Sequence, residues 1–220
     1  MNPLPILRDS WYFFARHMGA IAVLCLPLLV LESLTRYLLV GTLTADPSPA
    51  YELVTSLLFY PLYTGALILF VDTRSRGLTV RYRDLLAMAL QLWPRFAVLS
   101  ALSTVLIMAG ASLFILPGLW VMIKIAFAEY LLVLDRLTPL AAMRESFRLT
   151  QGHFVTISAC VLTVMLPLWL LDARSFPELK AWGDIPVLIL DCLRGFLQLF
   201  ASVVVFRLFM LATPERAAEP

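Results

Sequence analysis

Apolar residues run along this chain in long blocks, not in the narrow stripes of a soluble amphipathic helix. Between Phe96 and Leu134 only Lys124 and Glu129 carry charge. A helix over that run would be about 58 Å long, while one crossing of a bilayer core needs about 30 Å, or roughly 20 residues. The chain is therefore expected to reverse inside the block. Leu116-Pro117-Gly118 has the right chemistry for it, since proline has no N–H to continue a ladder and glycine tolerates sharp turns. The blocks then predict six crossings, at about His17–Val40, Tyr51–Val71, Phe96–Ile115, Leu119–Leu134, Phe154–Leu171 and Val187–Leu211. The first follows Arg8 and Arg16 as a leader peptide would, but no small-x-small cleavage site follows it, and a retained span is expected.

The polar segments between these blocks repeat. Asn2–His17 aligns without a gap on Thr138–His153, with Pro3/Pro139, Leu4/Leu140, Arg8/Arg144, Ser10/Ser146 and His17/His153 identical. Each copy opens with a capping side chain and then proline, the pattern of a helix start. In the second copy Leu140, Met143, Phe147 and Thr150 share one face and Arg144, Glu145, Arg148 and Gln151 fall elsewhere, which reads as an amphipathic helix lying in the interface and ended by Gly152. A weaker third copy begins at Leu78-Thr79-Val80, and the second and fourth spans end alike, in Phe70-Val71-Asp72 and Val133-Leu134-Asp135. The expected fold is all-α: one integral membrane domain of three parallel hairpin units, about 2–72, 78–135 and 138–211, each an interfacial helix followed by two transmembrane helices.

Composition agrees. Of the 220 residues 61% are hydrophobic and 15% charged, against about 45–50% and 25% in soluble domains. Mean hydropathy is +0.87. A water-soluble enzyme, a disordered chain and a nucleic-acid-binding domain are excluded, because too little polar surface is present to coat a globule. Cys25, Cys160 and Cys192 each lie in an apolar run, where cysteine acts as a small hydrophobe and not as part of a disulfide framework.

Net charge is only +2, but its placement is informative. With six crossings, 12 arginines fall on the face of the termini and only Arg36, Arg174 and Lys180 on the other, with Lys124 and Arg194 inside spans. The positive-inside rule makes the crowded face cytoplasmic, in a bacterial inner membrane, with both termini inside.

Charges inside spans are the candidate chemistry. Each costs about 2.5–3.5 kcal/mol on insertion scales, so each needs a reason. Glu32, Arg36, Lys124, Glu129, Asp191 and Arg194 are placed mostly at outer-leaflet depth, three acids and three bases. They either neutralise one another between helices or line a polar cavity open to the outside. On the basic face, Arg8, Arg74, Arg76, Arg81, Arg83, Arg144 and Arg148 are candidate contacts for anionic lipid, each worth about 1 kcal/mol. No HExxH, GxSxG or phosphate loop occurs, and His17 and His153 have no carboxylate or thiolate at metal-ligand spacing. No catalytic residue, metal or cofactor is expected, and membrane lipid is the expected partner.

One stretch carries a resemblance. Leu116-Pro117-Gly118-Leu119-Trp120-Val121-Met122-Ile123-Lys124, then Ala126-Phe127-Ala128, Leu132-Val133-Leu134-Asp135, Pro139, Ala142-Met143-Arg144, Ser146-Phe147 and Leu149-Thr150-Gln151-Gly152 resemble the YciC-like family of bacterial inner-membrane proteins. They also resemble the wider group of membrane domains found fused to some glycerophosphodiester phosphodiesterases. The resemblance implies a multi-span inner-membrane protein without an established activity; the phosphodiesterase chemistry belongs to a separate soluble domain and does not carry over. The expected function is non-enzymatic, a structural or lipid-interacting role in the envelope. A small transporter or channel built on the charged cluster is the alternative.

Overall fold

The computed structural model describes the backbone of residues 3–43, 49–152, 154–179 and 184–213, and side chains over 4–38, 53–152, 154–167, 170 and 189–213. The described residues form helices joined by short turns, without strands. In chain order these are α1 (Pro3–Leu43), α2 (Pro49–Ser75), α3 (Tyr82–Leu113), α4 (Ile115–Lys124), α5 (Ala128–Leu134), α6 (Pro139–Leu149), α7 (Phe154–Leu179) and α8 (Asp184–Ala212). Among them five segments are long and apolar enough to cross a membrane: most of α1, α2, α3, α4 with α5, and α8. A sixth is counted if α6 and α7, bent by 108° to one another, are taken as a single span.

Aromatic and polar contacts fix how the helices run. Asp9 meets Arg207 while Ser33 meets Asp191, so α1 and α8 are antiparallel. His17 lies against Phe70, and Cys25 reaches the carbonyl of Tyr63, so α1 and α2 are antiparallel too. Phe70 against Tyr82 and Tyr60 against Phe96 give the same relation for α2 and α3, and the Trp93 indole donates to Leu58 O at 2.9 Å. The short α5 sits at the centre, with Ala128, Tyr130, Leu131, Leu132 and Val133 all buried.

The reversal falls at Phe114, two residues before the Leu116-Pro117-Gly118 corner read from the sequence. Phe114 is extended, with φ −163° and ψ 159°, and separates α3 from α4. Pro117 sits in the first turn of α4, where its missing N–H costs nothing. Gly118 is what allows the return: a Cβ there would lie 2.9 Å from the backbone nitrogen of Ala111. Two backbones this close need small residues at the crossing.

Three expectations are corrected. First, the opening units have no separate interfacial helix. α1 runs unbroken for 41 residues, about 61 Å, through Arg16–Gly19. α3 likewise runs for 32 residues, through Pro94. A lone glycine, or a proline that removes one hydrogen bond, does not end a helix whose neighbouring bonds hold. Among the described residues, the bend expected between an interfacial helix and its span is found between α6 and α7. There Thr150 turns its hydroxyl back to Ser146 O and Phe147 O, 2.9 and 3.2 Å away, just before Gly152.

Second, the fourth span is broken at Ile125–Phe127. The open backbone groups are satisfied from another helix: Ser146 Oγ donates to Lys124 O at 2.7 Å and accepts from Phe127 N at 3.1 Å. Unpaired backbone groups inside a membrane cost several kcal/mol, so a broken span needs such a partner. Third, of the expected apolar face of α6, Thr150 is buried and Met143 and Phe147 pack on the core, but Leu140 is 71% exposed and the closest-packed row is Ala142, Ser146 and Thr150. Residues four apart form one row. Here it is the row of small residues that lets α6 approach α5 closely.

Candidate functional site

The charged residues of the spans fall in three places, the first two of them linked through Tyr63 and Tyr60. The first joins α1 to α8. Glu32 and Arg36 lie one turn apart and their side chains meet at 2.8 Å. Arg36 also reaches Asp191 at 3.6 Å, and Ser33 donates to Asp191 at 3.0 Å. Cys192 Sγ lies 3.6 Å from the Ser33 hydroxyl. One guanidinium thus serves two carboxylates, a geometry for which its fork of donors is suited. Glu32 is buried and Asp191 partly so. Arg194, half-buried, follows one turn after Asp191 on α8.

The second place joins α2 to α5. Tyr60 donates its hydroxyl to Glu129 at 2.8 Å. Tyr60 and Tyr63 meet edge to face, 5.6 Å apart, and Tyr63 in turn neighbours Glu32. A line of polar groups therefore runs from Arg36 through Glu32, Tyr63 and Tyr60 to Glu129. The third place holds Lys124, which is 7% exposed. Its ammonium lies 5.8 Å from the ring of Trp120 and 5.6 Å from that of Phe154. It does not point into acyl chains. A desolvated cation gains about 2 kcal/mol from such faces.

Chemically, this arrangement holds helices together. Arg36–Asp191, Ser33–Asp191, Tyr60–Glu129 and Lys124–Phe154 link helices distant in sequence, while Glu32–Arg36 and Lys124–Trp120 are contacts one turn apart within α1 and α4. Among the described residues no set of three His, Cys, Asp or Glu could hold a metal ion.

The candidate lipid contacts are also sorted. Arg8 and Arg74 line one cavity, Arg144 and Arg148 another. Arg76 pairs with Asp72 at 3.2 Å, and Arg148 with Glu145 at 2.6 Å. Arg81 and Arg83 are exposed beside the start of α3. Neither cavity is lined by any of the six charged residues of the spans. His153, the side chain of Arg174 and Lys180 lie outside the described residues.

Reading charge alone misses the uncharged partners. Tyr60 donates to the carboxylate of Glu129, Tyr63 neighbours Glu32, Ser33 donates to the carboxylate of Asp191, and Ser146 bridges two backbone groups. Arg16, His17 and Arg207 join Arg8 and Arg74 in their cavity. The Tyr60-x-x-Tyr63 pair in an otherwise apolar span was the available signal for the first two.

Compared with known proteins, residues 48–211 match the family model described as "Uncharacterised protein family (UPF0259)". A UPF0259 membrane protein of Yersinia pestis (strain Pestoides F) is 28% identical over 155 residues, which is 70% of this chain and 60% of that protein. A UPF0259 membrane protein of Yersinia pseudotuberculosis serotype O:3 (strain YPIII) matches to the same extent. The chain thus spans about 60% of the length of these curated relatives. No solved structure matches the chain.

Proposed function

We propose, for a chain that belongs to the UPF0259 family of membrane proteins, a non-enzymatic role in the bacterial inner membrane, structural or lipid-interacting and serving the envelope. In this reading the chain crosses the bilayer six times, in three hairpins of like orientation, with both termini in the cytoplasm. α6 is the interfacial helix of the last hairpin. The reversal at Phe114 and the bend between α6 and α7 support that path.

One observation carries the reading. The ionic and polar groups of the spans make direct protein contacts, and three of these join different helices: Arg36 with Asp191, Tyr60 with Glu129, and Lys124 with the ring of Phe154. A conduit for a polar solute would instead leave such groups facing a water-filled opening.

The test is reconstitution of the purified full chain into vesicles. The expected result is retained phospholipid, no flux of entrapped ions or small polar solutes above empty vesicles, and no hydrolysis of lipid phosphoesters. Arg36→Gln and Asp191→Asn should each lower thermal stability, with a coupling between them of about 0.5–1.5 kcal/mol. Flux that disappears in both variants while their melting temperatures stay unchanged makes the protein a transporter. Turnover of a lipid makes it an enzyme.

A further inference from the structure

At the end of the bundle where Asp9 meets Arg207, α1, α2 and α8 line an open cavity of about 740 Å³. That is within the range of small-molecule sites, about 300–1,000 Å³. Four arginines line it, Arg8, Arg16, Arg74 and Arg207, together with His17 and Ser10, against a single carboxylate, Asp9. Asp9 sits 3.6 Å from Arg207 and so takes up one of the four. Among the described residues Arg8, Arg16 and Arg74 have no carboxylate partner; Arg74 lies over the ring of Phe70, 5.6 Å from its centroid. His17 is tethered by Nδ1, 3.0 Å from Phe13 O.

Two observations separate this cavity from charge that merely orients a membrane protein. The first is Ser10. It is 2% exposed and lines the cavity, and its hydroxyl has no hydrogen-bond partner among the described residues. A buried hydroxyl without a partner is uncommon; those of Thr64, Ser100 and Ser158 share that state, but only Ser10 belongs to the lining of this cavity. The second is the other cavity on the same face, about 890 Å³, lined by Arg144 and Arg148 but also by Glu145 and Asp135. There cations and carboxylates balance. Positive-inside orientation asks only for charge on one face; it does not ask that arginines converge on one hollow and leave it short of anions.

We infer that the hollow bounded by Arg8, Arg16, Arg74 and Arg207 binds a phosphate-bearing anion, either the headgroup of an anionic phospholipid or a soluble phosphate ester. Guanidinium groups donate to phosphate oxygens in pairs. The apolar lining of Phe13, Val71, Val203 and Phe206 suits the glycerol and first acyl carbons of a lipid. The inference rests on the lipid-interacting reading only for the source of the phosphate.

The test titrates purified full-length protein, at physiological salt, with dihexanoyl phosphatidylglycerol, sn-glycerol 3-phosphate, inorganic phosphate and, as zwitterionic control, dihexanoyl phosphatidylcholine. Lipid carried through purification is quantified by mass spectrometry. Arg8→Gln/Arg16→Gln is the main variant, because neither arginine holds an ion pair among the described residues and folding should survive. Arg74→Gln is the second variant, and Arg83→Gln/Arg144→Gln the control away from the cavity. The expected result is saturable binding of the anionic probe, weakened tenfold or more by either cavity variant and less than twofold by the control. Binding of phosphatidylglycerol alone identifies a lipid headgroup, and binding of glycerol 3-phosphate or phosphate as well identifies a soluble ester. No saturable binding of any anionic probe, or equal weakening by cavity and control variants, overturns the inference. Retention of anionic lipid by Arg8→Gln/Arg16→Gln at the wild-type ratio removes the cavity but leaves the lipid-interacting role standing. Solute flux by the wild type removes that role, yet leaves the cavity standing if phosphate binds.

Discussion

Ser10 and Ser146 hold the same place in the internal repeat, yet their hydroxyls have opposite situations. Ser146 bridges Lys124 O and Phe127 N across the gap in the fourth span. Ser10 bonds to nothing among the described residues. Ser146→Ala should therefore cost about 1–3 kcal/mol, since it strands two buried backbone groups, whereas Ser10→Ala should stay within about 0.5 kcal/mol. Thermal or denaturant unfolding in one detergent compares the two directly. Tyr60→Phe removes only the bond to Glu129 and should cost about 1 kcal/mol, in keeping with hydrogen bonds between membrane helices. The same measurement on Tyr60→Phe in a Glu129→Gln background should show less than the sum of the two single losses. At this scale the sequence was partly legible. It marks Glu32, Lys124 and Asp191 as costly in an apolar run, because cost depends on the residue and its own segment. It is silent on which group compensates each, because Tyr60 and Glu129 are 69 positions apart.

Among the elements, the α3–α4 reversal depends on close backbone approach more than on proline. Gly118→Val should lower stability by about 2–3 kcal/mol through overpacking against Ala111, or abolish accumulation of folded protein. Gly19, in the middle of α1, has open space around it, and Gly19→Ala should be neutral or stabilise by up to about 1 kcal/mol. Melting temperatures of the two variants make the comparison. The need for a turn was legible, because no single crossing accommodates the length of the apolar run. Its position was legible to within a few residues. The continuity of α1 and α3 was not: whether a helix passes through a polar stretch is settled by what packs beside it. The buried face of α6 was legible only in part: Met143, Phe147 and Thr150 face the protein as expected, Leu140 does not, and Ala142 and Ser146 were not foreseen. Hydrophobicity marks the side that avoids water, and inside a bilayer both lipid and protein satisfy that demand. Ala142 and Ser146 join the protein face because they are small, not because they are apolar.

For the whole molecule, orientation is the property to test. In a chain with Cys25, Cys160 and Cys192 replaced, Arg83→Cys is expected to react with an impermeant thiol reagent only from the cytoplasmic side. Phe114→Cys, at the reversal and 76% exposed, should not react from that side. Labelling of both from one face would undo the six-crossing path. The sequence by itself determined that this is a multi-pass helical membrane protein. It also fixed where the apolar spans fall and how the arginines are distributed among the segments between them. Those properties are sums over contiguous residues, and partition between water and lipid is decided segment by segment. Only the tertiary structure decided that Arg36 serves two acids, that Lys124 rests between rings, and that four arginines face one hollow. Such meetings depend on the rotation and register of helices far apart in the chain, which no local sum contains.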